Sequence, residues 1–214
     1  DGLGFDEVVS TMSQRAAMAE AERCLECDLM CSICASVCPN LAILTYESQA
    51  FRADIPLLVV KGTALDIAGT RRFRVVQQYQ VAVLTDFCNE CGNCVTFCPA
   101  SGKPFRDKPR LYLDKGEFDA QDHNAFRIVR RGEASSIHAK LDLDCHSLVF
   151  DGVVRYTSSK LTATFSRASF ALLDARPGQG SGEGETLSLD AAATMFVLHE
   201  SLRVSAPFLP CADA

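Results

Sequence analysis

No stretch of this chain approaches the roughly 20 uninterrupted apolar residues of a membrane helix, so nothing in it is expected to span a bilayer. Basic charge is not in excess either. The formal net charge is −6 and the isoelectric point lies near 5.2, which argues against a nucleic-acid partner held by phosphate contacts. The opening DGLGFDEVV has neither the basic end nor the apolar run of a secretory leader. Asp1 follows no Met, and the chain is expected to be part of a longer polypeptide. The glycine-rich GQGSGEG at 178–184 lacks the G-x-G-x-x-G order and the preceding strand of a dinucleotide loop, so it reads as a flexible connector. What remains is ordinary in bulk. At 214 residues, 48% hydrophobic and 22% charged, the chain is globular and long enough for one ordinary domain or two small ones.

Cysteine is the outlier, with 11 residues. Five fall between Cys24 and Cys38 and four between Cys88 and Cys98, leaving Cys145 and Cys211 apart. A secreted disulfide scaffold staples distant loops, whereas thiols two or three residues apart gather around one metal centre. The thiols are therefore expected to be reduced ligands in a cytoplasmic compartment.

The second group, CNECGNCVTFCP, places Cys88, Cys91, Cys94 and Cys98 at C-x2-C-x2-C-x3-C before Pro99. This is the bacterial ferredoxin run for a [4Fe–4S] cluster. Three closely spaced thiolates wrap one corner of a cubane, and a tight loop turns backbone N–H groups toward sulfur, helped by Gly92. The fourth cysteine belongs to the other cluster of a pair.

The first group, CLECDLMCSICASVCP, ends in the same way with Cys31, Cys34, Cys38 and Pro39. Asp28 stands where the first cysteine is expected, and Cys27 comes one residue early. Crossed ligation then assigns Cys27, Cys31, Cys34 and Cys98 to one cluster, and Cys88, Cys91, Cys94 and Cys38 to the other. Two cubanes need eight thiolates and the groups supply nine. Either Cys24 is spare, or Cys24 and Cys27 both ligate and Cys31 or Cys34 is spare.

Two rival chemistries share these residues. CxxC pairs also make zinc knuckles, although zinc sites close with four ligands from two separated pairs and have no need of three thiols in seven residues. The C-x3-C-x2-C spacing of Cys27, Cys31 and Cys34 is that of radical SAM enzymes. There, Ile33 replaces the usual aromatic residue, and no train of strands and helices follows for a partial barrel.

The remaining pattern places these motifs. A helix is expected over 6–23, with Thr11 and Gln14 as a capping-box pair and Met12, Ala16 and Ala19 at helical spacing. LAILTYE and YQVAVLTDF read as strands, with DIPLLVV and RRFRVVQQ as a hairpin inserted between them. Residues 103–109 read as a loop. Beyond it, LYLD, AFRIVR, IHAKLDL, VVRYTS and LTATFS are short strands, and Ser188 caps a last helix carrying Leu189, Ala192, Ala193 and Phe196. No fixed-period repeat is apparent. The expected organisation is α+β. Residues 1–23 form a helical lead-in, 24–110 a ferredoxin-like 2[4Fe–4S] domain with an inserted hairpin, and 111–214 a β-rich appendage ending in a helix. Cys145 and His146 would point to opposite faces of a strand. His123, His138 and His199 show no ligand spacing, and Arg71, Arg72 and Arg74 read as a solvated strand face.

The segments AEAERCLECD, CPN and CNECGNCVTFCP, followed by GKPFRDKPRLYL, resemble the C-terminal iron–sulfur region of candidate selenate reductase FAD/NAD(P) subunits, relatives of the glutamate synthase small chain. The resemblance covers about residues 15–115. It implies electron transfer through two [4Fe–4S] clusters, with FAD and NAD(P) bound on a partner domain or subunit and an association with molybdenum hydroxylases. The RCLxC lead-in is also similar to the cluster segment of dihydropyrimidine dehydrogenase, which implies that Cys24 and Cys27 are both candidate ligands. The chain has no flavin or nucleotide loop of its own, so no substrate-converting site is expected on it.

Overall fold

The computed structural model describes residues 12–21, 31–131 and 134–209. Helix α1 (Gln14–Ala21) begins at Ser13, whose Oγ accepts from Ala16 N–H at 3.3 Å and whose carbonyl accepts from Ala17 N–H at 2.9 Å. The expected Thr11 partner and all of the lead-in before it lie outside the described residues.

The first cysteine loop carries the short helix α2 (Ile33–Ser36) and runs into β1 (Ile43–Glu47). The inserted hairpin follows as β2 (Phe51–Lys61) and β3 (Ala64–Val75), longer than its two apolar segments suggest, and turning at Gly62 with φ +59°. Strand β4 (Tyr79–Leu84) returns antiparallel to β1, pairing Ile43 with Val83 and Glu47 with Tyr79. The sequence TDF at the end of the expected strand is a 3-10 turn. The second cysteine loop follows with α3 (Asn93–Thr96). The expected loop at 103–109 contains a helical turn, α4 (Pro104–Asp107), which Pro104 can begin because its missing N–H would have no partner there.

Strand β5 (Arg110–Leu111) lies parallel to both β4 and β6 (Ala125–Arg131). Helix α5 (Lys115–Asp119) bridges them, capped by Asp114, whose carboxylate accepts from Glu117 N–H at 2.8 Å. From β6 the chain meanders antiparallel through β7 (Ala134–Leu141), β8 (Asp144–Phe150), β9 (Val154–Thr157), β10 (Leu161–Phe165) and β11 (Leu172–Pro177). Two-residue β12 (Thr186–Leu187) then joins β2 and β3 in a separate three-stranded sheet. The chain closes with α6 (Asp190–Ser205), whose first N–H is met by Ser188 Oγ at 3.1 Å.

The larger sheet has nine strands in the order β1-β4-β5-β6-β7-β8-β9-β10-β11. It passes through residue 110 without a break, so strands from both sides of that point share one sheet. Its inner face meets α6 and the small sheet. Period-two alternation turns Ile137, Ala139, Leu148 and Phe150 inward to pack with Leu58, Met195, Leu198 and Leu202. Each large apolar side chain buried in this way contributes about 1.5–3 kcal/mol.

The GQGSGEG stretch is not a loose connector. Gly178 N–H donates to Lys160 O at 2.7 Å, Gly180 N–H to Ser159 O at 2.9 Å, and Gly184 N–H to Val60 O at 2.9 Å. A Cβ on Gly178 would stand 2.4 Å from Ser159 O, so at this residue the strap lies too close to the β9–β10 turn for any side chain.

Candidate metal centre

The two cysteine loops repeat one backbone design at an offset of 60 residues, from Cys31 to Cys91 and from Ala42 to Gly102. Ala35 N–H donates to Ser32 O, as Val95 N–H does to Gly92 O, both at 2.9 Å. Val37 N–H donates to Ile33 O at 3.0 Å and Phe97 N–H to Asn93 O at 3.1 Å. Leu41 N–H and Ser101 N–H reach back to Cys38 O and Cys98 O at 3.3 and 3.2 Å. Leu41 and Ser101 each sit at φ +54°, a left-handed turn that aims the next N–H at sulfur. Accordingly Ala42 N–H meets Cys38 Sγ, and Gly102 N–H meets Cys98 Sγ, both at 3.3 Å. The sequence showed the shared cysteine–proline run but no fixed-period repeat. The two windows, CSICASVCPNLA and CGNCVTFCPASG, share only three cysteines and a proline, and the left-handed position is Leu in one and Ser in the other.

Strands β1 and β4 supply the apolar floor. Cys34 and Cys94 are buried beside Ile43, Val81, Val83 and Phe105, with Cys38 and Cys88 packed against them. Burial pushes the Cys34 thiol up, and a nearby cation would reverse that shift by favouring the thiolate. Cys38, Cys88, Cys91 and Cys94 line one cleft, together with Asn40 and Phe105. The cleft is small, about 20 Å³. The fit of a cluster therefore rests on the donor set and on the N–H groups aimed at sulfur, not on a ready-made volume.

Among the described residues, no group of three or more His, Cys, Asp or Glu side chains is close enough to hold a single metal ion. A tetrahedral zinc with Zn–S near 2.3 Å needs its sulfurs within about 4 Å of one another. A cubane takes each thiolate on a different iron, so its four sulfurs stand further apart.

Cys31, Cys34 and Cys98 are also described, and Cys91 is exposed while Cys31 and Cys98 are half-buried. Cys24 and Cys27 lie outside the described residues, as does Cys211. Cys145 is exposed and accepts from Lys140 Nζ at 3.3 Å, while His146 is held by Tyr156 Oη at 2.7 Å, so the two serve different neighbours. His123 lies 3.7 Å from Asp142, and His138 Nε2 lies 3.1 Å from Ser136 Oγ. His199 is buried against Phe150. Arg71 pairs with Asp190 and Arg72 with Asp54, as a solvated strand face would.

Sequence reasoning missed one feature of the second loop. Glu90, between Cys88 and Cys91 and at φ +53°, stands 3.7 Å from Arg106 and 3.8 Å from Arg110. Its carboxylate ties the loop to the segment that follows Cys98. The signal for it was faint: one acidic residue inside a run of cysteines, and two arginines in GKPFRDKPR.

No family model matches the chain, and no solved structure matches it. Over 109 residues it is 33% identical to "Putative oxidoreductase YgfK" of Escherichia coli (strain K12), and equally to the protein of that name from Escherichia coli O157:H7. The matched stretch covers 51% of this chain and 8% of each relative's length. The chain is thus similar to a small part of an oxidoreductase-related protein.

Proposed function

We propose that this chain is an electron-transfer module that holds two [4Fe–4S] clusters through crossed sets of cysteines. One observation carries the reading. Cys38, from the first run, lines the same cleft as Cys88, Cys91 and Cys94 from the second, as crossed ligation requires. The second set would comprise Cys98 with Cys31 and Cys34, completed by Cys27 or Cys24. Each cluster, when bound, accepts and passes one electron at a time.

The chain's own residues hold the thiolates, donate N–H groups of Ala42 and Gly102 to the sulfurs of Cys38 and Cys98, and exclude water with Ile43, Val83 and Phe105. The relatives named as oxidoreductases support a redox role, and their much greater length leaves room for the flavin and NAD(P) domain that the proposal places in the same polypeptide or docked to it. A selenate-reductase-type enzyme, working with a molybdenum hydroxylase in the cytoplasm, is the finer form of this proposal. No helix of the described residues is long and apolar enough to cross a membrane, which fits that setting.

The direct test is iron content in Cys94→Ser and Cys98→Ser, with Cys145→Ser as a control outside the runs. Each of the first two is expected to lose about half the iron of the parent protein, because each removes one ligand from one cluster. The control should keep it all. Unchanged iron in both ligand variants would refute the assignment, and zinc in place of iron would favour a structural zinc module.

A further inference from the structure

The outer face of the large sheet carries a second site, unconnected with the cysteines. On β6 the inward residues are Phe126 and Ile128, and the alternate pair, Arg127 and Val129, faces away from the core. Register places Arg127 opposite His138, and Val129 beside Ser136 and then Val149. Helix α5 lies over this face and contributes Lys115 and Phe118. Together these residues line a cleft of about 790 Å³, within the range of small-molecule sites.

Arg127 is what makes the cleft a site. Its side chain is only 9% exposed, yet Nε has no hydrogen-bond partner. Nε is itself shielded from solvent, so an anion in the cleft would meet the rest of the guanidinium and offset the cost of burying its charge. The local field favours an anion. Asp119 is the acidic residue among the described lining; it is ion-paired with Lys115 and also feels the charges of Lys140 and Arg127. Lys140 adds a further positive charge nearby, its Nζ 5.8 Å from the Phe118 ring centroid. Phe118, Val129 and Val149 supply an apolar wall beside the charge.

We propose that this cleft binds a small amphipathic organic anion, with its oxyanion group against Arg127 and its apolar body on Phe118, Val129 and Val149. A guanidinium donates to carboxylate and phosphate alike, so the cleft suits either head group. The proposal is independent of the cluster reading and stands or falls without it.

Calorimetric titration of the full chain with octanoate, octyl phosphate and octanol, all below their aggregation concentrations, tests it. At least one anion is expected to saturate one site per chain, and whichever binds tighter identifies the head group. Octanol, which has the same body without the charge, should bind about tenfold weaker or worse. Arg127→Gln should lose about tenfold in anion affinity while leaving octanol unchanged. If that variant does not fold, Val149→Phe, which narrows the apolar wall and keeps the guanidinium, should weaken anion binding instead. Absence of binding by both anions, equal binding of octanol, or anion affinity unchanged in the folded variant would each overturn the proposal.

Discussion

Glu90 shows how much a single side chain can do beside a cysteine run. It sits in the left-handed region without being glycine, a strained position that Arg106 and Arg110 hold from across the loop. These are half-exposed contacts near 4 Å, so they contribute about 0–1 kcal/mol, and Glu90→Gln should leave Tm almost unchanged. The same substitution removes a negative charge from the cluster loop and leaves two arginines unopposed. On the cluster reading this favours the reduced, more negative state, so the potential of the second cluster should rise. Redox titration of parent and variant checks it; an unchanged or lower potential would contradict this role for Glu90. The cysteines themselves were legible, because C-x2-C-x3-C-P is a covalent spacing that survives any change of surroundings. Glu90 was not, since its meaning depends on two arginines brought close only by the turn after Cys98.

Individual elements divide in the same way. The β2–β3 hairpin and α6 were legible from local pattern: alternating or helically spaced apolar residues predict which face is buried, and Leu189, Ala192 and Ala193 are fully buried as expected. The glycine strap was misread because its partners, Ser159, Lys160 and Val60, are remote in sequence. Gly178→Ala should cost about 1–3 kcal/mol, because its Cβ would press on backbone rather than on a yielding side chain. Gly182→Ala, whose Cβ meets nothing nearer than 3.8 Å, should cost far less. Thermal melts of the two variants compare them directly, and equal Tm values would contradict the tight strap.

Helix α6 also sets an acid limit on stability. His199 Nδ1 lies 3.2 Å from Glu200 Oε1, and Arg203 Nη2 lies 2.9 Å from Glu200 Oε2; together they hold the Glu200 carboxyl down to about 2. Burial lowers the His199 ring from its ordinary 6.5, so it is neutral near pH 7. Both groups bind protons more weakly when folded, so both contributions are complete at neutral pH. The unfolded chain takes up protons at His below about 6.5 and at Glu below about 4.5, and stability falls with pH as it does so. Glu200→Gln should therefore lose about 1–3 kcal/mol near pH 7 and show a flatter acid limb between about pH 4.5 and 2. An acid limb identical to the parent's would refute it.

At the scale of the whole molecule, one sheet connects the cysteine loops to the β-rich half. Strands β1 and β4 floor the thiols, and β5 passes the sheet on to the meander. This continuity was not legible, because β5 is two residues long and its parallel neighbours lie on either side of it in sequence. The cysteine runs were legible as spacing, in advance of the architecture that carries them. The duplicated loops set two groups of thiols around a common apolar floor, and the central claim is that they hold two cubanes close enough to exchange electrons. The most direct test is iron and sulfide analysis of the anaerobically purified protein, combined with EPR after dithionite reduction. About eight iron and eight sulfide per chain, with two interacting S = 1/2 signals, are predicted. A colourless protein containing zinc, with neither sulfide nor a reducible signal, would contradict the account.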